Sequence, residues 1–230
     1  MTDSQASIGT YKERTLHAAL KRYLEPDTAC HECRYKGFIA DILHDGGVIE
    51  IQTRQFGKMR KKLDAFLPDT PVTIVYPVTR HKWLIWVDPG SGETTKKRKS
   101  PKVGTPFEVF YELYAIRSYL QHPNLTVSVI MVDTEEYRML NGWNETRKRG
   151  SSRAERIPVG IGERFDLHDP SDYRKLLPDA LPETFHSLEF SRCVSLSRSS
   201  AQTALSILTG LGVTERLSRD KQGYLYRICL

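Results

Sequence analysis

Asp41, Glu50 and Gln52 are the residues whose types and spacing point most directly to chemistry. Two carboxylates and an amide brought to one face offer hard oxygen donors, the ligand type that divalent cations such as Mg²⁺ take. A cation held there can generate a nucleophilic water and polarise a phosphoryl oxygen. The surrounding sequence explains why these side chains converge. Residues 38–43 and 48–51 are largely apolar and rich in β-branched side chains, and Asp45-Gly46-Gly47 lies between them, so 36–53 reads as a β-hairpin. With Asp45-Gly46 as a two-residue type I′ loop, His44 pairs with Gly47 and Asp41 stands opposite Glu50. With Gly46-Gly47 as the loop, Asp41 stands opposite Gln52 instead. Either register puts all three side chains on one face, because Glu50 and Gln52 are two residues apart on one strand. The runs are apolar enough to be buried on both faces. Two like charges facing each other there destabilise the hairpin, and each removal should relieve that repulsion, unless a divalent cation joins them. The plainer alternative is a solvated sheet face carrying two unrelated acids.

This pattern resembles the PD-(D/E)XK nuclease superfamily, whose core has an acid on one strand and acid-x-Lys on the next, preceded by a helix that often carries a further Glu. Asp41, Glu50 and Glu13 match it. Gln52 stands where the lysine is usual, a variant similar to that of some resolvase-like and competence-protein nucleases of the superfamily. The likeness covers about the first 80 residues, in the order helix, hairpin, helix, strand. It implies an α/β fold with a restriction-endonuclease-like mixed sheet core flanked by helices. It also implies Mg²⁺ or Mn²⁺ held by Asp41, Glu50 and Glu13, and hydrolysis of DNA phosphodiesters. Gln52 is no general base, but its amide can orient a water or contact a phosphate oxygen. Lys58 or Arg54 is expected to stand in for the missing lysine, against the alternative of a solvated helix face. Glu13 has its own alternative, because Thr10-x-x-Glu13 is also a capping box.

The elements that must position these residues follow from periodicity. A helix is expected over 10–23, with Leu16, Ala19, Leu20 and Tyr23 as its apolar stripe, then a strand over 29–35. After the hairpin, Phe56, Met59, Leu63, Phe66 and Leu67 mark the buried face of a second helix whose other faces carry Arg54, Lys58, Lys61 and Lys62. Two strands, 71–78 and 81–87, extend the sheet. Residues 93–105, with Lys96, Lys97, Arg98, Lys99 and Lys102, read as a loop that embraces a nucleic-acid backbone or as a solubilising insert. A helix over 107–120 and a doubly buried strand over 125–132 follow. Arg147, Lys148, Arg149, Arg153 and Arg156 then form a second basic patch.

Asp169-Pro170 reads as a boundary between a nuclease-like domain, 1–168, and a small domain, 169–230. The latter shows helices over 173–177 and 187–194, a third capped by Ser197, and a hairpin turning at 220–223, an order that resembles a winged-helix domain. Its third helix has Ala201, Ala204, Leu205 and Leu208 on one face. That leaves Arg198, Ser199, Gln202 and Thr203 for the DNA major groove, with Arg219 and Lys221 on the wing. The alternative is a winged helix that makes protein contacts.

The formal net charge of +6 favours an acidic partner, and DNA is the partner expected. No apolar run reaches membrane-span length and residues 1–9 are polar, so a cytoplasmic protein is expected, with a homodimer as an option. Cys30 and Cys33 form a lone C-x-x-C and read as strand residues rather than half of a zinc or redox site. Two functions are carried forward. The first is a metal-dependent deoxyribonuclease; the second is a nuclease-like DNA-binding regulator without catalysis.

Overall fold

Three antiparallel strands, a helix and a parallel return strand make up the part of the chain that carries the paired acids. The computed structural model describes residues 14–140 and 152–229. Along the chain run α1 (Arg14–Leu24), β1 (His31–Tyr35), β2 (Phe38–His44), β3 (Gly47–Ile51), α2 (Arg60–Phe66) and β4 (Val72–Val87). Then come β5 (Arg98–Lys99), α3 (Val109–Leu113), β6 (Leu125–Met139), β7 (Ser152–Leu167) and α4 (Pro170–Lys175). The last elements are β8 (Thr184–His186), α5 (Ser187–Cys193), α6 (Arg198–Gly210), β9 (Thr214–Asp220) and β10 (Gly223–Ile228).

The protein is mixed α/β, with helices flanking a sheet of mixed direction. Its strands lie in the order β1-β2-β3-β4-β6-β7, with β5 paired to β4. β1 and β3 flank β2 antiparallel, whereas β4 runs parallel to β3, from Val48 opposite Val72 to Ile51 opposite Val75. A parallel return needs a crossover, and α2 supplies it. The expected strands 71–78 and 81–87 are one strand, because Thr79 and Arg80 carry no turn signal. The expected helix over 107–120 starts and ends in 3-10 turns and kinks at Ile116, whose φ of −121° is not helical.

The chain divides into two compact units, one of the described residues up to Thr28 with 79–104 and 132–162, the other of 29–78, 105–131 and 163–230. In the first unit ion pairs bridge the strands. Glu136, fully buried, receives Arg138 at 2.7 Å, Arg156 at 3.4 Å and Lys82 at 3.6 Å. The Arg80 guanidinium beside Asp133, with His81 on the same carboxylate, holds that carboxyl below the usual range. The basic stretch 93–105 is partly built in here. Lys97 and Lys99 stand over the Trp83 ring at 4.9 and 5.8 Å, and Lys97 also pairs with Glu135. Arg147, Lys148 and Arg149 lie outside the described residues.

The second unit holds one continuous apolar core, from Val48, Phe56, Leu63 and Phe66 through Phe107 and Phe110 to Phe190, Leu205 and Leu208. The segment from Asp169 on falls within this unit. Phe190 meets Phe107 edge-on at 5.7 Å, and Tyr173 meets Phe110 at 6.3 Å. A chain cut after Asp169 therefore uncovers aromatic surface on α3 and the turn before it. We expect that truncation to melt at least several degrees below the full chain or to aggregate, as read by thermal denaturation and size-exclusion chromatography. An unchanged melting temperature would mean that the contact contributes nothing.

Candidate metal and phosphodiester site

Residues 44–51 set the register on which the site depends. His44 pairs with Gly47, Leu43 with Val48 and Ile42 with Ile49, so one further step sets Asp41 opposite Glu50. This is the register of an Asp45-Gly46 loop, but the turn is not of type I′. Neither loop residue has a positive φ; Gly47 carries it, at 121°. A Cβ on Gly47 would stand 2.3 Å from the Pro71 carbonyl oxygen, which accepts the Val48 N–H at 2.9 Å. Glycine there lets β3 dock against the start of β4.

β2 and β3 separate beyond this point, and a side chain takes over the ladder. Asp41, half-buried, accepts the Ile51 N–H on Oδ2 at 2.8 Å. On the other side of β3 the Gln52 N–H donates to the Val75 carbonyl at 2.9 Å. Glu50 is only 1% exposed, although it is a carboxylate on a strand. Its burial is compensated by Lys62 of α2, whose Nζ donates to Glu50 Oε1 at 2.7 Å, to Oε2 at 2.8 Å and to the Ile39 carbonyl at 2.7 Å. Three acceptors match the three donors of an ammonium group. Asp41 and Glu50 are thus set opposite each other with Lys62 on Glu50, and the half-buried Gln52 follows directly after the end of β3.

That lysine is not the residue expected. Lys58 is exposed on the 3-10 turn Phe56–Met59, and Arg54 is exposed in the preceding loop. Lys62 was visible as one of a crowd of cations, yet its position carried a signal. Met59, Lys62, Leu63 and Phe66 have the i, i+3, i+4, i+7 spacing of a single helix face, so Lys62 occupies a place in the buried stripe. A carboxylate also escaped the sequence reading. Glu112 of α3, buried, accepts the Phe56 N–H at 2.9 Å and ties down the loop that follows Gln52, where Gln55 has a φ of 60°. Glu13, the expected third acid, lies outside the described residues.

The pair with Lys62 corrects the stability expectation. Removing Glu50 does not merely relieve repulsion, because it strands an ammonium that is itself only 22% exposed. Asp41, bonded to the Ile51 amide, is likewise a net contributor.

Among the described residues no group of three His, Cys, Asp or Glu side chains is placed to hold a metal. Two carboxylates nevertheless suit Mg²⁺, which takes one or two protein carboxylates and fills its shell with waters and substrate phosphates. The donor chemistry of Asp41 and Glu50 therefore fits the cation, provided Lys62 shares Glu50 with it. Among the described residues no helix is long and apolar enough to cross a membrane.

The C-terminal part of the second unit presents a second polar surface. β8, β10 and β9 form a sheet in that order, and Ser197 caps α6 by accepting the Ser200 N–H. Arg198, Ser199 and Gln202 are exposed on α6, and Thr203 is half-buried. The Thr203 hydroxyl donates to the Ser199 carbonyl at 3.2 Å, and Arg198 reaches the Gln222 carbonyl in the β9–β10 turn at 3.4 Å. Lys221 is exposed at that turn, and Arg219 stands over the Tyr224 ring at 5.4 Å.

Residues 14–168 match the family described as Domain of unknown function (DUF8091). An uncharacterized protein of Treponema pallidum (strain Nichols) is 28% identical over 180 residues, which cover 78% of this chain and 71% of that protein. No solved structure matches.

Proposed function

The chain belongs to the DUF8091 family, and from its own residues we propose that it is a metal-dependent deoxyribonuclease with a winged-helix DNA-binding module. The observation that carries this reading is the lysine beside the paired acids. Lys62 stands 2.7 Å from Glu50, on the face that Glu50 shares with Asp41, and so restores from α2 the cation that the sequence lacks at Gln52. The strand order supports a restriction-endonuclease-like core: an antiparallel meander, a crossover helix, and a strand parallel to the one that bears Glu50.

Asp41 and Glu50 would hold Mg²⁺ or Mn²⁺, with Glu13 as the expected third ligand. When bound, the cation acidifies a water and offsets the charge that grows on the attacked phosphate. Lys62 would bind and orient by giving up one of its two bonds to Glu50 and turning that donor toward a phosphate oxygen, while the Ile39 carbonyl keeps the ammonium in place. Gln52 orients the attacking water through its amide. Cleavage of single-stranded, duplex and branched DNA with and without Mg²⁺ or Mn²⁺ tests the reading.

A regulator without catalysis is the second reading, and one observation favours it. Lys62 engages both oxygens of Glu50, as a cation replacing a metal would. A parent protein that neither cleaves nor gains thermal stability with Mn²⁺ would leave this alternative as the better reading.

For the DNA-binding module, support comes from the order α4, β8, α5, α6, β9, β10 and from β8 lying beside β10. We expect Arg198→Ala and Lys221→Ala each to weaken binding to duplex DNA. Each should also reduce the slope of log affinity against log salt by about one. Gln202→Ala should leave the slope unchanged and relax sequence preference. Fluorescence anisotropy across a salt series reads both, and unchanged slopes in the two cation variants would remove α6 and the wing from the interface.

A further inference from the structure

We infer that the cleft where the first residue of α2 meets the 3-10 segment Tyr114–Tyr119 is a binding site for a phosphate group, with Arg60 and Arg117 as its two forks. The cleft has a volume of about 250 Å³ and is lined by Arg60, Ala115, Arg117, Ser118 and Tyr119. That is far above the ~10–15 Å³ one water requires, so a many-atom anion fits. Four polar or cationic side chains could line a merely wet surface; here the two guanidiniums are held in place. Arg60 donates from Nε and Nη2 to the Ala115 carbonyl at 2.8 and 2.5 Å. Arg117 donates from Nη1 to the Tyr114 carbonyl at 3.2 Å, and its Cζ stands over the Tyr114 ring, 4.5 Å from its centre.

Neighbouring carbonyls of one segment thus fix both side chains before any ligand arrives. A guanidinium has five N–H donors, and these bonds use two of them on Arg60 and one on Arg117. The planar forks suit a phosphate, which takes paired charge-assisted bonds, better than a point-like anion. No carboxylate lines the cleft. The acid beside it, Asp64, accepts the Tyr119 hydroxyl at 2.7 Å, so two guanidinium charges stand against one carboxylate and their sum is positive. Ser118 adds a hydroxyl donor.

Tyr111 and Tyr114 are 74% and 43% exposed next to the cleft in sequence, and exposed aromatic rings are surfaces on which bases stack. The phosphate can therefore come from a nucleic-acid end or from a free anion, and the site is independent of the metal chemistry at Asp41 and Glu50.

The test uses the full chain in metal-free buffer, with inorganic phosphate as the probe and sodium chloride at matched ionic strength as the control. Phosphate should raise the parent's melting temperature more than chloride does. Arg117→Gln should increase the Kd for phosphate about tenfold or more, and Arg117→Lys should fall between. Ser118→Glu, which places a carboxylate in the cleft without touching either arginine, should abolish the phosphate effect. Circular dichroism without phosphate checks that each variant is folded. A 5′-phosphorylated oligonucleotide that competes at lower concentration than its 5′-hydroxyl counterpart identifies a nucleic-acid end as the source, and equal competition identifies the free anion. Equal phosphate stabilisation of the parent, Arg117→Gln and Ser118→Glu would overturn the assignment, as would no stabilisation of the parent.

Discussion

On the proposed nuclease reading, Asp41→Ala and Glu50→Ala should each lower divalent-cation-dependent DNA cleavage by roughly a hundred- to a thousandfold, the range seen when a fixed electrostatic group is removed from an active site. The two variants differ in what they do to the metal-free protein. Glu50→Ala leaves the Lys62 ammonium facing an emptied, buried position. Breaking a fully buried pair costs about 3–5 kcal/mol; with Lys62 22% exposed, the expected cost is about 2–3 kcal/mol. For a chain of this size that is a fall of roughly 5–10 °C in melting temperature. Asp41→Ala removes a charge-assisted bond to the Ile51 amide from a half-buried site and leaves the Lys62–Glu50 pair in place, so its melting temperature should fall less. Mn²⁺ should then raise the melting temperature of the parent and of neither variant. Cleavage by Glu50→Ala at the parental rate would remove Glu50 from the reaction, whatever its effect on stability.

Lys62→Met separates the cation from the metal ligands. Cleavage should fall by a similar factor while Mn²⁺ still binds, because Asp41 and Glu50 remain. The thermal shift caused by Mn²⁺ should be larger than in the parent, since Glu50 is no longer shared with an ammonium. The variant also acquires a pH dependence whose sign can be worked out. Without Lys62, burial raises the Glu50 carboxyl above its unfolded value, so the folded variant binds a proton that the unfolded chain has lost. Its deficit relative to the parent should therefore be small in acid and grow as pH rises past the ordinary carboxylate range. Melting curves of parent and variant at several pH values read this directly. Adding Glu50→Gln to Lys62→Met should recover stability, because a neutral amide needs no counter-charge, and that recovery is the coupling of a double-mutant cycle. If Lys62→Met cleaved at the parental rate, the working cation would have to lie elsewhere in the chain.

The sequence alone determined the local elements and which acids share a face. Strand alternation is strictly two, so either register of the hairpin put Asp41 on the face of Glu50, and the stripe Met59, Leu63, Phe66 located α2. Capping by Ser197 and the apolar face of α6 were equally local and equally legible. The short β8 was not, because three residues carry too little periodicity to be read, and they become a strand only through their pairing with β10. Tertiary structure alone decided which cation meets Glu50. Arg54, Lys58, Lys61 and Lys62 all carry a cation in the sequence, but it is Lys62 that lies where α2 meets β2 and β3, and that choice depends on how the helix is rotated in the core. The same packing decided the turn. The positive φ moved from the loop to Gly47 because β3 must pass against the Pro71 carbonyl, a contact between residues 24 apart that no local propensity encodes.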